Sequence, residues 1–141
     1  MNPFLLAPQA RLTEWRAFRH AIMAYDEPTQ LQAVADFWAQ APLNPAAFII
    51  DDPWPTTWEM LMTNNFCRQS LALGMESTLR LLGWPANRLI LKMINDSTAS
   101  LLVLVVDERL MLNYAWGKVV PIVAHPILRQ WRFATRDYIA I

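Results

Sequence analysis

One cysteine, Cys67, and two histidines, His20 and His125, make nucleophilic thiol chemistry the first reaction this chain could support. Such catalysis needs a thiolate, a proton acceptor within hydrogen-bond reach and a third group that orients the acceptor. Cys67 follows Asn64-Asn65-Phe66 at the start of a helical pattern. A helix N-terminus stabilises negative charge, and reactive thiolates often occupy that position. His20 falls among Arg16, Arg19 and Ala21 on the polar side of the first helical segment, where a solvated residue is the ordinary reading. His125 lies in Ala124-His125-Pro126, at a strand end or in a loop.

Other constellations carry less. Asp51-Asp52 lies in a proline-rich stretch and Asp107-Glu108 in a tight turn, both places where carboxylates serve solvation and turn-making. No Cys/His set has metal-ligand spacing. Three glycines, at 74, 83 and 117, cannot build a phosphate-binding loop. The residues thus imply neither metal nor cofactor.

The elements that would position Cys67 follow from periodicity and punctuation. Residues 1–11, with Pro3 and Pro8, read as an extended arm ahead of a single domain over 12–141. Helical spacing begins at Thr13, with Leu12, Trp15, Phe18, Ile22 and Tyr25 on one face. Pro28-Thr29 opens a second helix, closed by Pro42. Four prolines between Pro42 and Pro55 predict loop or extended chain. Thr56-Thr57 caps a short turn from Trp58 to Met62. The main helix then starts at Asn64 or Asn65, runs to Leu82 and stops at Gly83. Its small residues Ser70, Ala72, Gly74 and Ser77 predict close packing against another element.

Past Trp84-Pro85 the period changes to that of strands: Arg88 to Ile94, Leu101 to Val106 and Leu110 to Tyr114, with further strand over 119–123 and 131–141. Helices followed by a meander of strands predict an α+β fold, with N-terminal helices and the cysteine-bearing helix packed on an antiparallel sheet.

Composition narrows the function classes. The 141 residues are 55% hydrophobic, 17% charged and neutral overall, which supports one sizeable core and argues against direct nucleic-acid binding. The longest aliphatic run, Leu101 to Val106, is far too short to span a bilayer, and Met1 to Leu6 lacks the pattern of a secretion signal. Seven tryptophans exceed the usual needs of so small a core. Phe4, Trp54, Trp58, Trp84, Trp116 and Trp131 are therefore candidates for a subunit interface.

With these elements in order, the chain resembles the bacterial transglutaminase-like cysteine proteinases, of papain-like and transglutaminase fold. The resemblance rests on Trp54 to Glu59, a cysteine opening a helix, Leu82-Gly83-Trp84-Pro85-Ala86-Asn87-Arg88-Leu89, the strand 101–106 and Leu110 to Asn113. It spans roughly residues 30 to 140. In that family a Gly-Asp-Cys motif precedes acidic residues, a histidine opens the following strand and an aspartate ends the next one. The cysteine position matches Cys67, the histidine position falls at or next to Ser100, and the aspartate position falls on Asn113. Asn65-Phe66 stands for Gly-Asp, and Arg68-Gln69 for the acidic pair. An amide could orient an imidazole, but a hydroxyl cannot take up a proton near neutral pH.

The resemblance therefore implies a relic site at Cys67, Ser100 and Asn113. It points to a non-catalytic protein that acts through contacts with other protein subunits. A bacteriophage virion component of the head, neck or tail is its concrete form, located in the virion if phage-encoded and otherwise in the cytoplasm. An active cysteine hydrolase or transferase with a histidine from elsewhere is the alternative. A regulator that binds a peptide in the relic cleft is a third reading.

Overall fold

The computed structural model describes residues 2–44, 54–95, 97, 99–134 and 136–141. A 3-10 turn (Pro3–Leu5) precedes α1 (Pro8–Ile22), α2 (Glu27–Trp38), α3 (Thr57–Thr63) and α4 (Arg68–Leu81). A second 3-10 turn (Ala86–Arg88) leads into β1 (Leu89–Asn95), β2 (Ser100–Val106), β3 (Leu110–Leu112), β4 (Val119–Pro121), β5 (Ile127–Ala134) and β6 (Asp137–Ala140). The strands form one antiparallel sheet in the order β4-β3-β2-β1-β5-β6. The α+β expectation holds. The carboxylates Asp51-Asp52 and the central part of the proline-rich stretch lie outside the described residues.

Helix boundaries follow capping chemistry, and two of them correct the sequence reading. Residues 1–11 are not an extended arm. Pro8 takes the first position of α1, where its missing N–H costs nothing, so the helix begins five residues before Thr13. Thr13 instead donates its hydroxyl to the Gln9 carbonyl one turn back. The Pro3–Leu5 turn is capped by Asn2 and buries Phe4 against Phe37, Trp38 and Phe66. At α4, Asn64 adopts the left-handed conformation that ends α3 (φ 56°), so the main helix starts only after Cys67, which is its N-cap. Thr56 and Glu59 form a reciprocal capping box at α3.

The helical layer is organised on α4. The Thr78 hydroxyl accepts the indole N–H of Trp15 (3.0 Å) and of Trp38 (3.1 Å), and donates to the Gly74 carbonyl (2.6 Å). A Cβ at Gly74 would lie 2.7–2.8 Å from the Trp38 ring, so only glycine allows this approach. The small-residue stripe thus does mark close packing.

Strand alternation sorts the sheet residues. Leu89 and Leu91 of β1 and Leu102, Leu104 and Val106 of β2 face the helices. Ile94, Val103, Val105 and Met111 form a second apolar cluster on the opposite face. Both alternations of β2 are buried, which is why its sequence is aliphatic throughout.

Tertiary packing also revises the interface candidates. Phe4, Trp84 and Trp131 are core residues, 2%, 7% and 5% exposed. Trp54 is half-buried against Trp131 and Tyr138. Trp58 and Trp116 remain open, 47% and 44% exposed. The tryptophan excess goes largely into the core, where each indole N–H of Trp15, Trp38 and Trp84 has a buried acceptor.

Arg88 ties the layers together. It holds Glu27 of α2 and Asp107 of the β2–β3 turn with paired hydrogen bonds, and lies over the Trp84 ring. At the other end of the sheet, Glu76 of α4 is 1% exposed, held by Arg80 through both oxygens and by the Tyr138 hydroxyl (2.9 Å). Burial pushes the Glu76 carboxyl up, and Arg80 and Tyr138 partly offset that rise.

Two measurements check these contacts. Thr78→Val leaves two buried indole donors without an acceptor and should destabilise the fold by roughly 2–5 kcal/mol in urea melts, with Thr78→Ser far milder. The raised carboxyl of Glu76 binds its proton more tightly in the folded chain than the unfolded one. Its contribution is therefore fully present below the unfolded value and declines as pH rises through the folded one. Glu76→Gln should remove that decline, seen as a flatter urea midpoint from pH 4 to 7.

Candidate active site

Cys67 occupies the N-cap of α4 in an extended conformation (φ −121°, ψ 169°) and is half-buried. Ser70, one turn into the helix, holds the cysteine backbone from both sides. Its hydroxyl accepts the Cys67 N–H and donates to the Cys67 carbonyl, each at 2.9 Å. Phe66 directs the chain into this position, since its ring is fully buried between Phe4 and Trp38. The aspartate that the resemblance puts before the cysteine is thus replaced by a core anchor.

Helix α4 packs across β2. Ser100 opens β2 opposite Asn95 and is exposed. It shares the alternation of Leu102 and Leu104, so it lies on the side of the sheet that faces α4. Asn113 follows β3 in the left-handed conformation (φ 69°) and is 3% exposed. Its amide donates to the carbonyls of Arg68 (2.8 Å) and Leu102 (2.9 Å). Its Oδ1 accepts from Arg68 Nε at 3.2 Å. Cys67, Ser100 and Asn113 therefore sit on three neighbouring elements.

The hydrogen bonds of Asn113 tie helix to sheet. Both amide hydrogens of Asn113 are spent on backbone carbonyls of α4 and β2, and its oxygen is engaged by a guanidinium. Arg68 also donates to the carbonyls of Asn113 (3.0 Å) and Tyr114 (3.1 Å), and lies over the Trp116 ring. Asn113 thus staples the start of α4 to the sheet. From sequence, Arg68 is only a departure from the acidic pair that the resemblance implies. Its clamp on residues 113 and 114 depends on a contact across 45 positions that no local pattern encodes.

The two histidines lie elsewhere. His20 is exposed in the last turn of α1. The Ile22 carbonyl of that turn accepts from Gln30, whose side chain in turn accepts the Trp84 indole N–H beyond the C-terminus of α4. His20 is thus at the Gly83 end of α4, about 20 Å of helix from Cys67. His125 hydrogen-bonds the Tyr114 hydroxyl at 3.0 Å and lines a cavity with Val103, Val105 and Met111. Those residues cover the sheet face turned away from the helices, so the sheet itself separates His125 from the thiol. Among the described residues, no three His, Cys, Asp or Glu side chains gather to hold a metal ion, and no helix is long and apolar enough to cross a membrane.

No protein-family model matches the chain, and no curated protein does. Solved structures do match. LapG of Legionella pneumophila is similar to this chain with a TM-score of 0.73 at 19% identity, covering 87% of this chain and 73% of LapG. Its calcium-bound form matches with a TM-score of 0.70 at 18% identity, over 84% of this chain and 72% of that one. The EGTA-treated form gives 0.73 at 19% identity, with 87% and 73% covered. Likeness at this identity concerns the path of the backbone: four helices and a six-stranded antiparallel sheet in a transglutaminase-like fold, with LapG as structural neighbour.

Proposed function

We propose that this chain is a non-catalytic module of transglutaminase-like fold that works through contacts with other protein subunits, in its most specific form a bacteriophage virion component of the head, neck or tail. The observation that carries the reading is that, among the described residues, neither histidine stands beside the thiol. Ser100 takes the place on β2 that faces α4, one histidine lies at the far end of that helix, and the other lies behind the sheet. A hydroxyl and an amide occupied by Arg68 offer the thiol no proton acceptor near neutral pH.

Surface chemistry supports the second half of the reading. Trp58 and Trp116 stay nearly half exposed, and Ile139 in the edge strand β6 and Ile141 just after it are 54% and 61% exposed. Large aromatic side chains and an open strand edge are what subunit contacts use. The virion setting is the narrowest form of the proposal, drawn from the neutral charge and the resemblance rather than from the site.

Two outcomes test it. Cys67 should react with iodoacetamide at pH 7 no faster than a thiol in an unfolded peptide. Labelling ten times faster would favour the active-hydrolase alternative. In sedimentation, the chain should self-associate or co-sediment with structural proteins of its source particle. Trp58→Ala and Trp116→Ala should weaken that association while the circular dichroism spectrum shows the fold retained. A monomer indifferent to such partners would remove the assembly reading.

A further inference from the structure

A cavity of about 440 Å³ lies on the sheet face away from the cysteine. Its floor is Ile94, Val103, Val105 and Met111. Its wall is the segment 122–126, which crosses from β4 to β5 and is tied down at both ends. Ile122 N–H donates to the Arg109 carbonyl (2.8 Å), and Asn95 N–H donates to the Pro126 carbonyl (3.0 Å). Between these ties, His125 hydrogen-bonds the Tyr114 hydroxyl. The space is therefore built by the fold, with a volume in the range of small-molecule pockets.

One residue in it stands apart. Lys92 occupies the middle of β1, opposite Val103 in β2 and Gln130 in β5, and is only 7% exposed. An ammonium buried among aliphatic side chains is costly unless an anion meets it. Among the described residues its one recorded partner is Glu108 at 3.3 Å, from a side chain 62% exposed on the hairpin turn. That distance exceeds the usual length of a charge-assisted bond, and it engages one of three ammonium donors. The cavity therefore combines an aliphatic floor, a buried cation and an imidazole, with its carboxylate at the solvent side.

We infer that this cavity binds a medium-chain aliphatic carboxylate, with the acyl chain along Ile94, Val103, Val105 and Met111 and the carboxylate on Lys92 and His125. The site is separate from the Cys67 face and does not depend on whether the thiol reacts.

The test uses the full chain with labelled Ile, Leu, Val and Met methyl groups, titrated with decanoate below its micelle concentration. Saturable shifts are expected at Ile94, Val103, Val105 and Met111, with the Leu104 methyls of the helix-facing core unchanged. Decanol, which lacks the charge, should bind at least about tenfold more weakly, and acetate, which lacks the chain, should leave the spectrum unmoved. Lys92→Met should make decanoate and decanol equivalent. If that variant fails to fold, the three probes on the unsubstituted chain still decide. Equal binding of decanol, silent cavity methyls, or the same methyls shifting with protein concentration alone would each overturn the inference, the last by making this face a contact between copies.

Discussion

The helical layer depends on a single buried hydroxyl. Thr78 is fully enclosed, accepts two indole N–H groups and passes its own hydrogen to the Gly74 carbonyl one turn back. Two large rings from α1 and α2 can converge on α4 only because Gly74 has no side chain and Thr78 has one polar atom at the right depth. Burying an indole without an acceptor would cancel much of what its ring contributes. This node places α1 and α2 against α4, and Phe66 in the same aromatic cluster sets the start of α4. The geometry of the cysteine thus descends from packing that has nothing to do with catalysis.

The two faces of the sheet carry different chemistries. On the helix side, Cys67 starts α4, Ser100 opens β2, and Asn113 follows β3 with its hydrogen bonds used for structure. Its amide joins α4 to β2 and its oxygen meets Arg68. On the other face, His125 and Lys92 share an aliphatic cavity. The imidazole that thiol chemistry would need is present in the chain, but on the wrong side of a hydrogen-bonded sheet.

Much of the fold was legible in the sequence. Thr56-Thr57, Pro28-Thr29 and Gly83 marked element ends through local punctuation, and the aliphatic run 101–106 announced a strand. Boundaries failed where a local signal had two readings. Pro8 reads as a breaker from sequence, yet the first turn of a helix accepts it. Asn64 reads as a helix start, yet its left-handed conformation ends α3. The site was legible as positions but not as interactions, because the clamp of Arg68 on residues 113 and 114 joins segments far apart in the chain.

The sequence alone determined that one thiol opens the main helix, that no imidazole stands at Ser100, and that helices precede the strands. These follow from residue identity and short-range periodicity. Only the tertiary structure decided that Phe4, Trp84 and Trp131 are core, that His20 lies at the far end of α4, and that His125 and Lys92 share a cavity behind the sheet. Which face a residue occupies depends on strand pairing across dozens of residues, such as β1 with β5, and local pattern does not encode it.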